Sequence, residues 1–253
     1  MEGTKIISHN WEEKIKEIDK KLRTYPSGSL VRRGSYYSHV QKNKEIAITK
    51  DERLIRLLCR KKFLLIVRQH LKTNISLMAH PTSKILEITN EEIIDSLPAS
   101  YQGLPKDYFF HPSVKKWLEK PYQKNSYPQD STLTTGEGVQ LRSKSEVLVG
   151  IQLEYFGLNY RADSAFTIGN KKIYPDFIIV DLYTGKFIVW EHFGALHEKE
   201  YVDKMYTKMK LYRDYGHKYF EDVIYTFEPD VEKTEHLRNL INERIIKKFN
   251  KFY

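Results

Sequence analysis

Residues 173–194, reading Ile-Tyr-Pro-Asp-Phe-Ile-Ile-Val-Asp-Leu-Tyr-Thr-Gly-Lys-Phe-Ile-Val-Trp-Glu-His-Phe-Gly, constrain the fold more than any other stretch of the chain. Two apolar runs, Phe177 to Val180 and Phe187 to Trp190, are short, β-branched and aromatic, the composition of buried strands. The intervening Asp181-Leu-Tyr-Thr-Gly-Lys186 supplies turn chemistry, so the pair reads as a hairpin. A turn centred on Tyr183-Thr184 sets Asp181 opposite Lys186 and, in the same register, Asp176 opposite Glu191. Carboxylates so placed have Cβ atoms about 4.5–5.5 Å apart and destabilise a sheet. A divalent cation between them is the simplest compensation.

The flanks read regularly. Residues 143–155 form a predicted helix with Val147, Leu148 and Ile151 on its buried side, and residues 158–168 a predicted strand closed by a turn at Gly169-Asn170. Residues 198–215 read as a helix with a Val202, Met205, Met209, Tyr212 stripe, stopped at Gly216. A strand over 222–227 and a helix over 231–249, with Leu237, Leu240, Ile241 and Ile245, complete the order helix, three strands, helix, strand, helix.

The N-terminal part differs in charge. Of the formal +9, residues 1–75 hold 18 Lys+Arg against 8 Asp+Glu, a net +10, and the remaining 178 residues hold 24 against 25, a net −1. Residues 10–24 look helical with Trp11, Ile15, Ile18 and Leu22 on one stripe and Asn10 as cap. Segments 29–33, 35–40 and 45–49 suggest a β-meander, with breaks at Gly34 and at Lys42-Asn43-Lys44, and residues 51–71 a second helix. Arg32, Arg33, Arg56, Arg60, Lys61 and Lys62 are the candidates for binding a phosphate backbone. A solvated polar face is the competing explanation for this charge. In the middle, Ile85–Thr89 suggests a strand, and 90–96 and 111–119 short helices. Prolines and the 125–126 and 131–138 stretches mark a connector. The expected division is therefore a basic module over 1–75, a connector over 76–134 and a core over 135–253.

A single cysteine, Cys59, fits a reducing compartment, and the longest apolar run, Phe63 to Val67, is far too short to span a bilayer. With no apolar signal segment at the N-terminus, a cytoplasmic protein that does not engage a membrane is expected. One cysteine cannot build a thiolate zinc site, and neither a phosphate-binding glycine loop nor a Gly-x-Ser-x-Gly elbow occurs.

The element order, with Asp176 after Pro175 and Glu191 within Trp-Glu-His-Phe, resembles the PD-(D/E)XK or restriction-endonuclease-like nuclease superfamily over roughly residues 140–230. The fuller set of Arg142-Ser-Lys-Ser-Glu146, Tyr174-Pro-Asp-Phe177 and Trp190-Glu-His-Phe-Gly194 looks like a group of bacterial proteins assigned to it. The resemblance implies an α/β fold: an α-β-β-β-α-β-α core whose central mixed sheet is flanked by helices, here carrying an N-terminal α+β extension. It also implies phosphodiester hydrolysis with Mg²⁺ or Mn²⁺ held by Asp176, Glu191, the backbone carbonyl of His192 and Glu146, most naturally as a DNA endonuclease.

In that superfamily a lysine usually follows the second acid by two residues, where this chain has Phe193. Lys208, four residues before Tyr212 on the following helix, is the candidate replacement, with Lys204 and Lys210 weaker options. Each site residue has a plainer alternative. Glu146 completes a capping box with Ser143, Asp176 ends a strand, His192 is structural, and Lys208 is an exposed helix lysine. The departure at Phe193 also admits a catalytically silent nuclease fold that binds nucleic acid. A partner subunit in a mobile-element or phage-defence system is a third reading, and a homodimer or other protein partner is compatible with all three.

Overall fold

The computed structural model describes residues 2–42, 44–78, 84–124 and 133–250. The chain packs as two units, residues 1–115 with 248–253, and residues 116–247. This division differs from one at 75 and 134. Residues 84–115 belong to the N-terminal unit, because Tyr101 Oη accepts from Leu30 N (3.2 Å) and Phe109 O accepts from Arg60 Nη1 (2.6 Å). Of the expected connector, residues 125–132 lie outside those described.

The N-terminal unit contains α1 (Glu2–Leu22), β1 (Ser29–Arg33), β2 (Tyr36–Gln41), β3 (Lys44–Ala47), α2 (Glu52–Met78) and α3 (Asn90–Asp95). The meander is as expected: β1, β2 and β3 pair antiparallel in sequence order. Asn43, part of its predicted second break, lies outside the described residues. α1 packs on α2 through Trp11 and Ile18, but runs through Asn10, which therefore caps nothing. Asp51 accepts from Leu54 N (2.9 Å), opening α2. α2 buries Leu58, Cys59, Phe63, Val67 and Leu71. The strand expected at 85–89 does not form. The buried Asn74 amide of α2 takes both backbone groups of Leu86, donating to its O and accepting from its N at 2.9 Å each, which occupies the positions a ladder would need. The predicted short helices do form, α3 with a Thr89–Glu92 capping box and α4 over Pro112–Glu119.

In the second unit, α5 (Lys144–Tyr155) precedes β4 (Tyr160–Ala162), β5 (Phe166–Ile168), β6 (Lys171–Ile173), β7 (Phe177–Val180) and β8 (Phe187–Phe193). Helix α6 (Lys199–Asp214), β9 (Val223–Phe227), α7 (Glu228–Val231) and α8 (Thr234–Ile241) follow. A π-helical segment over Asn242–Ile246 follows, and α9 (Lys247–Asn250), whose residues from 248 on are grouped with the N-terminal unit, ends the described chain. The main sheet has the order β4-β7-β8-β9, with β4, β7 and β8 antiparallel and β9 parallel to β8. It is a mixed sheet in an α/β arrangement.

Three expectations need correction here. The single strand over 158–168 is two strands, because Asp163 takes a left-handed φ of 52°. β5 then leaves the main sheet to pair with β6 in a separate hairpin. The helix over 231–249 starts later, at Thr234 after the short α7, and carries a π-helical stretch over Asn242–Ile246 between α8 and α9; Leu237, Ile241 and Ile245 are buried as expected. The buried face of α5 is Ser145, Val149, Gly150, Gln152 and Leu153, leaving Leu148 and Ile151 each 39% exposed. Gly150 explains that rotation. A Cβ there would meet Thr135 Cγ2 at 2.6 Å, so the helix is seated through its smallest residue.

Candidate active site

The register of the β7–β8 hairpin follows from its turn. Asp181 holds the turn through Tyr183 N (2.9 Å) and the Thr184 hydroxyl, and Asp181 N donates to Lys186 O (2.9 Å). The ladder then pairs Val180 with Phe187 and Phe177 with Trp190. One step further along this register, Asp176 comes opposite Glu191, as the sequence implies.

The same rung continues onto β4. That strand pairs Ala162 with Phe177, and Asp163 N donates to Asp176 O (3.0 Å), one step beyond. Asp163, Asp176 and Glu191 therefore occupy neighbouring positions across three adjacent strands, which in a sheet lie about 4.8 Å apart. Asp163 is the site residue that sequence reasoning missed. A left-handed φ immediately after a strand would have marked it, and no local pattern announces that.

Two cations hold this row of acids. Arg142, just before α5, donates from Nη2 to Asp176 Oδ1 (3.0 Å) and stands 3.4 Å from Asp163 Oδ1. From α6, Lys208 Nζ lies 2.5 Å from Glu191 Oε2 and 3.3 Å from Tyr174 O. Tyr212, one turn further along α6, donates to the other oxygen, Glu191 Oε1, at 2.5 Å. Lys208 and Tyr212 meet one carboxylate because residues four apart share a helix face. The helix is fixed by Met205 and Tyr212 packing with Val189, Phe193, Val223 and Tyr225. Lys204 and Lys210 are exposed.

Burial governs the electrostatics. Glu191 is fully buried, which pushes its carboxyl up to about 7. Lys208 pulls against that shift, and the charge of Asp176 adds to it. Burial also raises Glu146 and Asp163, each further raised by Asp176 and opposed by Arg142. Burial disfavours the charge on Arg142, but Glu146, Asp163, Asp176 and Glu191 outweigh it and its pKa is raised. Tyr212 is raised by burial and by the Glu191 charge.

The remaining candidates divide. Glu146 Oε2 accepts from Arg142 N (3.0 Å), while Ser143 Oγ accepts from Glu146 N (3.0 Å). Glu146 thus helps secure the start of α5 and feels the charge of Asp176. His192 N donates to Asp176 Oδ2 (2.7 Å), and its carbonyl accepts from Tyr201 Oη at 3.4 Å. The His192 ring, buried, meets Thr226 Oγ1 (3.2 Å) and Glu228 Oε1 (3.3 Å). Among the described residues no three Asp, Glu, His or Cys side chains form a ready metal cluster. Arg142 and Lys208 neutralise the acids instead. The donor set suits a hard cation nonetheless: carboxylate oxygens, a backbone carbonyl, and an Asp163 carboxylate that is buried and accepts no hydrogen bond.

The basic residues of the N-terminal unit are largely engaged. Arg60 is corrected outright: it is 4% exposed, donates to Phe109 O and lies over the Phe63 ring, so it holds the unit together. Arg56 pairs with Glu52 (2.7 Å) and Asp107 (2.6 Å). Lys61 donates to Pro26 O and Gly28 O (2.8 and 2.9 Å), and Arg33 grips Glu45 through two contacts (2.8 and 2.9 Å). Arg32, exposed, donates to Gly34 O (2.9 Å) and Gln102 O (3.4 Å), and Lys62 is half-buried. These contacts do not gather the six into one patch. No helix among the described residues is long and apolar enough to cross a membrane.

Comparison with protein-family models, with curated proteins and with solved structures finds no match to this chain.

Proposed function

We propose that this chain is a divalent-cation-dependent phosphodiesterase of the restriction-endonuclease-like kind, cleaving nucleic acid, with DNA the expected substrate. One observation carries the reading: Lys208, delivered by α6, meets Glu191 at 2.5 Å in the rung where Asp176 stands opposite. An acid pair on adjoining strands with a lysine on the second acid is the arrangement such chemistry needs, and here the lysine comes from a helix rather than from position 193. The order of α5, β4, β7, β8, α6 and β9, with three antiparallel strands and one parallel, gives further support.

Asp176, Glu191 and the His192 carbonyl would hold Mg²⁺ or Mn²⁺, with Glu146 reaching it through water. The bound ion would supply Lewis-acid activation of water and offset charge developing on the phosphoryl oxygens. Lys208 would orient the attacking oxygen or stabilise that charge, and Tyr212 keeps the Glu191 carboxylate in one orientation. A groove of about 660 Å³ lined by Ile173, Tyr174, Lys204, Thr207, Lys208 and Leu211 opens beside the lysine. It offers a polyanion a way in, although Glu200 and Asp203 also line it.

A second reading has its own observation. Arg142 and Lys208 already neutralise the acids, as they would in a silent module that binds nucleic acid or serves as a partner subunit. Cleavage of supercoiled plasmid with Mg²⁺, Mn²⁺ or EDTA separates the two. Nicking that needs metal and disappears in Asp176→Asn and Glu191→Gln is expected. Wild-type protein inert on plasmid, single strands and RNA would favour the silent module.

A further inference from the structure

Asp163 has no role in the acid pair and lysine that define the proposed site, yet its position is costly. Its side chain is 6% exposed, and its backbone is left-handed at φ 52°. Neither carboxylate oxygen accepts a hydrogen bond. A buried carboxylate without donors costs several kcal/mol unless a cation compensates. Left-handed backbone is uncommon outside glycine, and aspartate is among the few residues that tolerate it. The buried carboxylate without donors, next in the rung to Asp176, points to a requirement beyond folding.

The partner at hand is Arg142. Its guanidinium spans the two acids, at 3.0 Å from Asp176 and 3.4 Å from Asp163, and its own side chain is 37% exposed. It can therefore swing into solvent without breaking the core. The Asp163 contact is loose and makes no bidentate fork, so it leaves oxygen ligand capacity unused.

Resting on the nuclease reading above, we propose that Asp163 is a third carboxylate ligand of the divalent-cation site and that Arg142 occupies the cation's place until the ion displaces it. A cation entering between Asp163 and Asp176 would gain two carboxylates on adjacent strands, and the released guanidinium would be free to face a phosphate.

The test is Mn²⁺ binding to the full chain without nucleic acid, read from the free-ion electron paramagnetic resonance signal, for wild type, Asp163→Asn and Arg142→Gln. Asparagine keeps the shape and tolerates the left-handed backbone, and near-UV circular dichroism checks packing. Asp163→Asn should weaken Mn²⁺ binding about tenfold or more. Arg142→Gln should tighten it roughly three- to tenfold, because the competing state is gone. Unchanged affinity in Asp163→Asn overturns the ligand assignment, and unchanged or weaker affinity in Arg142→Gln overturns the displacement. If Asp163→Asn loses its packing, the arginine variant decides alone. Metal-dependent cleavage with Mn²⁺ affinity unaffected by Asp163→Asn would sink this inference and leave the nuclease reading standing. Asp163-dependent Mn²⁺ binding in a chain that cleaves nothing would do the reverse, and no Mn²⁺ binding by wild type would overturn both.

Discussion

Lys208 Nζ and Glu191 Oε2 lie 2.5 Å apart although one belongs to a helix and the other to the central strand. The cation that position 193 does not supply reaches the same carboxylate 15 residues further along the helical side of the fold, and Phe193 is left to pack in the core instead.

That pair predicts a pH-dependent cost. Burial raises Glu191 above an ordinary carboxylate, to about 7, so its protonated form is favoured in the folded state. The stability associated with that proton is present below the unfolded pKa and lost as pH rises through the folded one. Lys208→Met removes the cation and moves the folded pKa higher still. Urea melts should show a loss of about 3 kcal/mol near pH 8.5 and a much smaller one near pH 5. Equal losses at both would mean that Lys208 contributes by packing.

Tyr212→Phe keeps the ring volume but deprives Glu191 Oε1 of its donor. A stability loss of about 1–3 kcal/mol is expected from a buried acceptor left unmet. Catalysis, if the nuclease reading holds, should suffer less than in Lys208→Ala, because the tyrosine orients the acid and carries no charge. Chemical denaturation and plasmid nicking on the same preparations compare the two.

In the N-terminal unit, Arg60→Ala should lower stability by about 2 kcal/mol or more, since Phe109 O and the face of Phe63 lose a buried partner. Nucleic-acid affinity at fixed salt should change little once the protein is kept folded. If this unit binds nucleic acid, Arg32→Ala and Lys62→Ala should weaken binding and flatten its salt dependence with a smaller change in melting than Arg60→Ala. Cutting the chain at residue 75 is a poor substitute, because it severs α2 three residues before its end.

His111 supplies an acid-sensitive element in the same unit. Burial, with help from the charges of Arg60 and Lys21, pushes its imidazole down to about 4. The unfolded state then binds the proton more readily, and stability falls as pH drops from about 6.5 toward 4. Asn at 111 can still accept from Ser113 N, as the ring does at 3.4 Å. His111→Asn should flatten the stability profile across that window, measured by urea midpoints.

The legible parts of this fold were those fixed locally. The β7–β8 register follows from turn residues between the strands, so Asp176 opposite Glu191 could be read directly, and Lys208 followed from its i, i+4 relation to Tyr212. Asp163 could not be found that way. Its rung depends on the pairing of β4 with β7 and on a backbone angle, and Ala162-Asp163-Ser164 looks like ordinary strand. The face of α5 was misread for a different reason. Apolar residues lie on every side of it, so periodicity carries no direction, and the small Gly150 chose the contact. The basic module is less legible because charge counts do not reveal which guanidiniums are engaged within the unit, as Arg56 is with Glu52 and Asp107 and Arg60 is with Phe109 O.

The parallel pairing of β9 with β8 has a consequence for the order of assembly. The β7–β8 hairpin closes over a short loop, whereas α6 must cross and β9 must dock before Lys208 and Tyr212 arrive. In an assembly order where the hairpin closes first, Asp176 and Glu191 face each other before α6 brings Lys208. Lowering the pH or adding a divalent ion should speed the refolding limb of a chevron plot more than it slows unfolding. The reverse asymmetry would show that the crossover forms first.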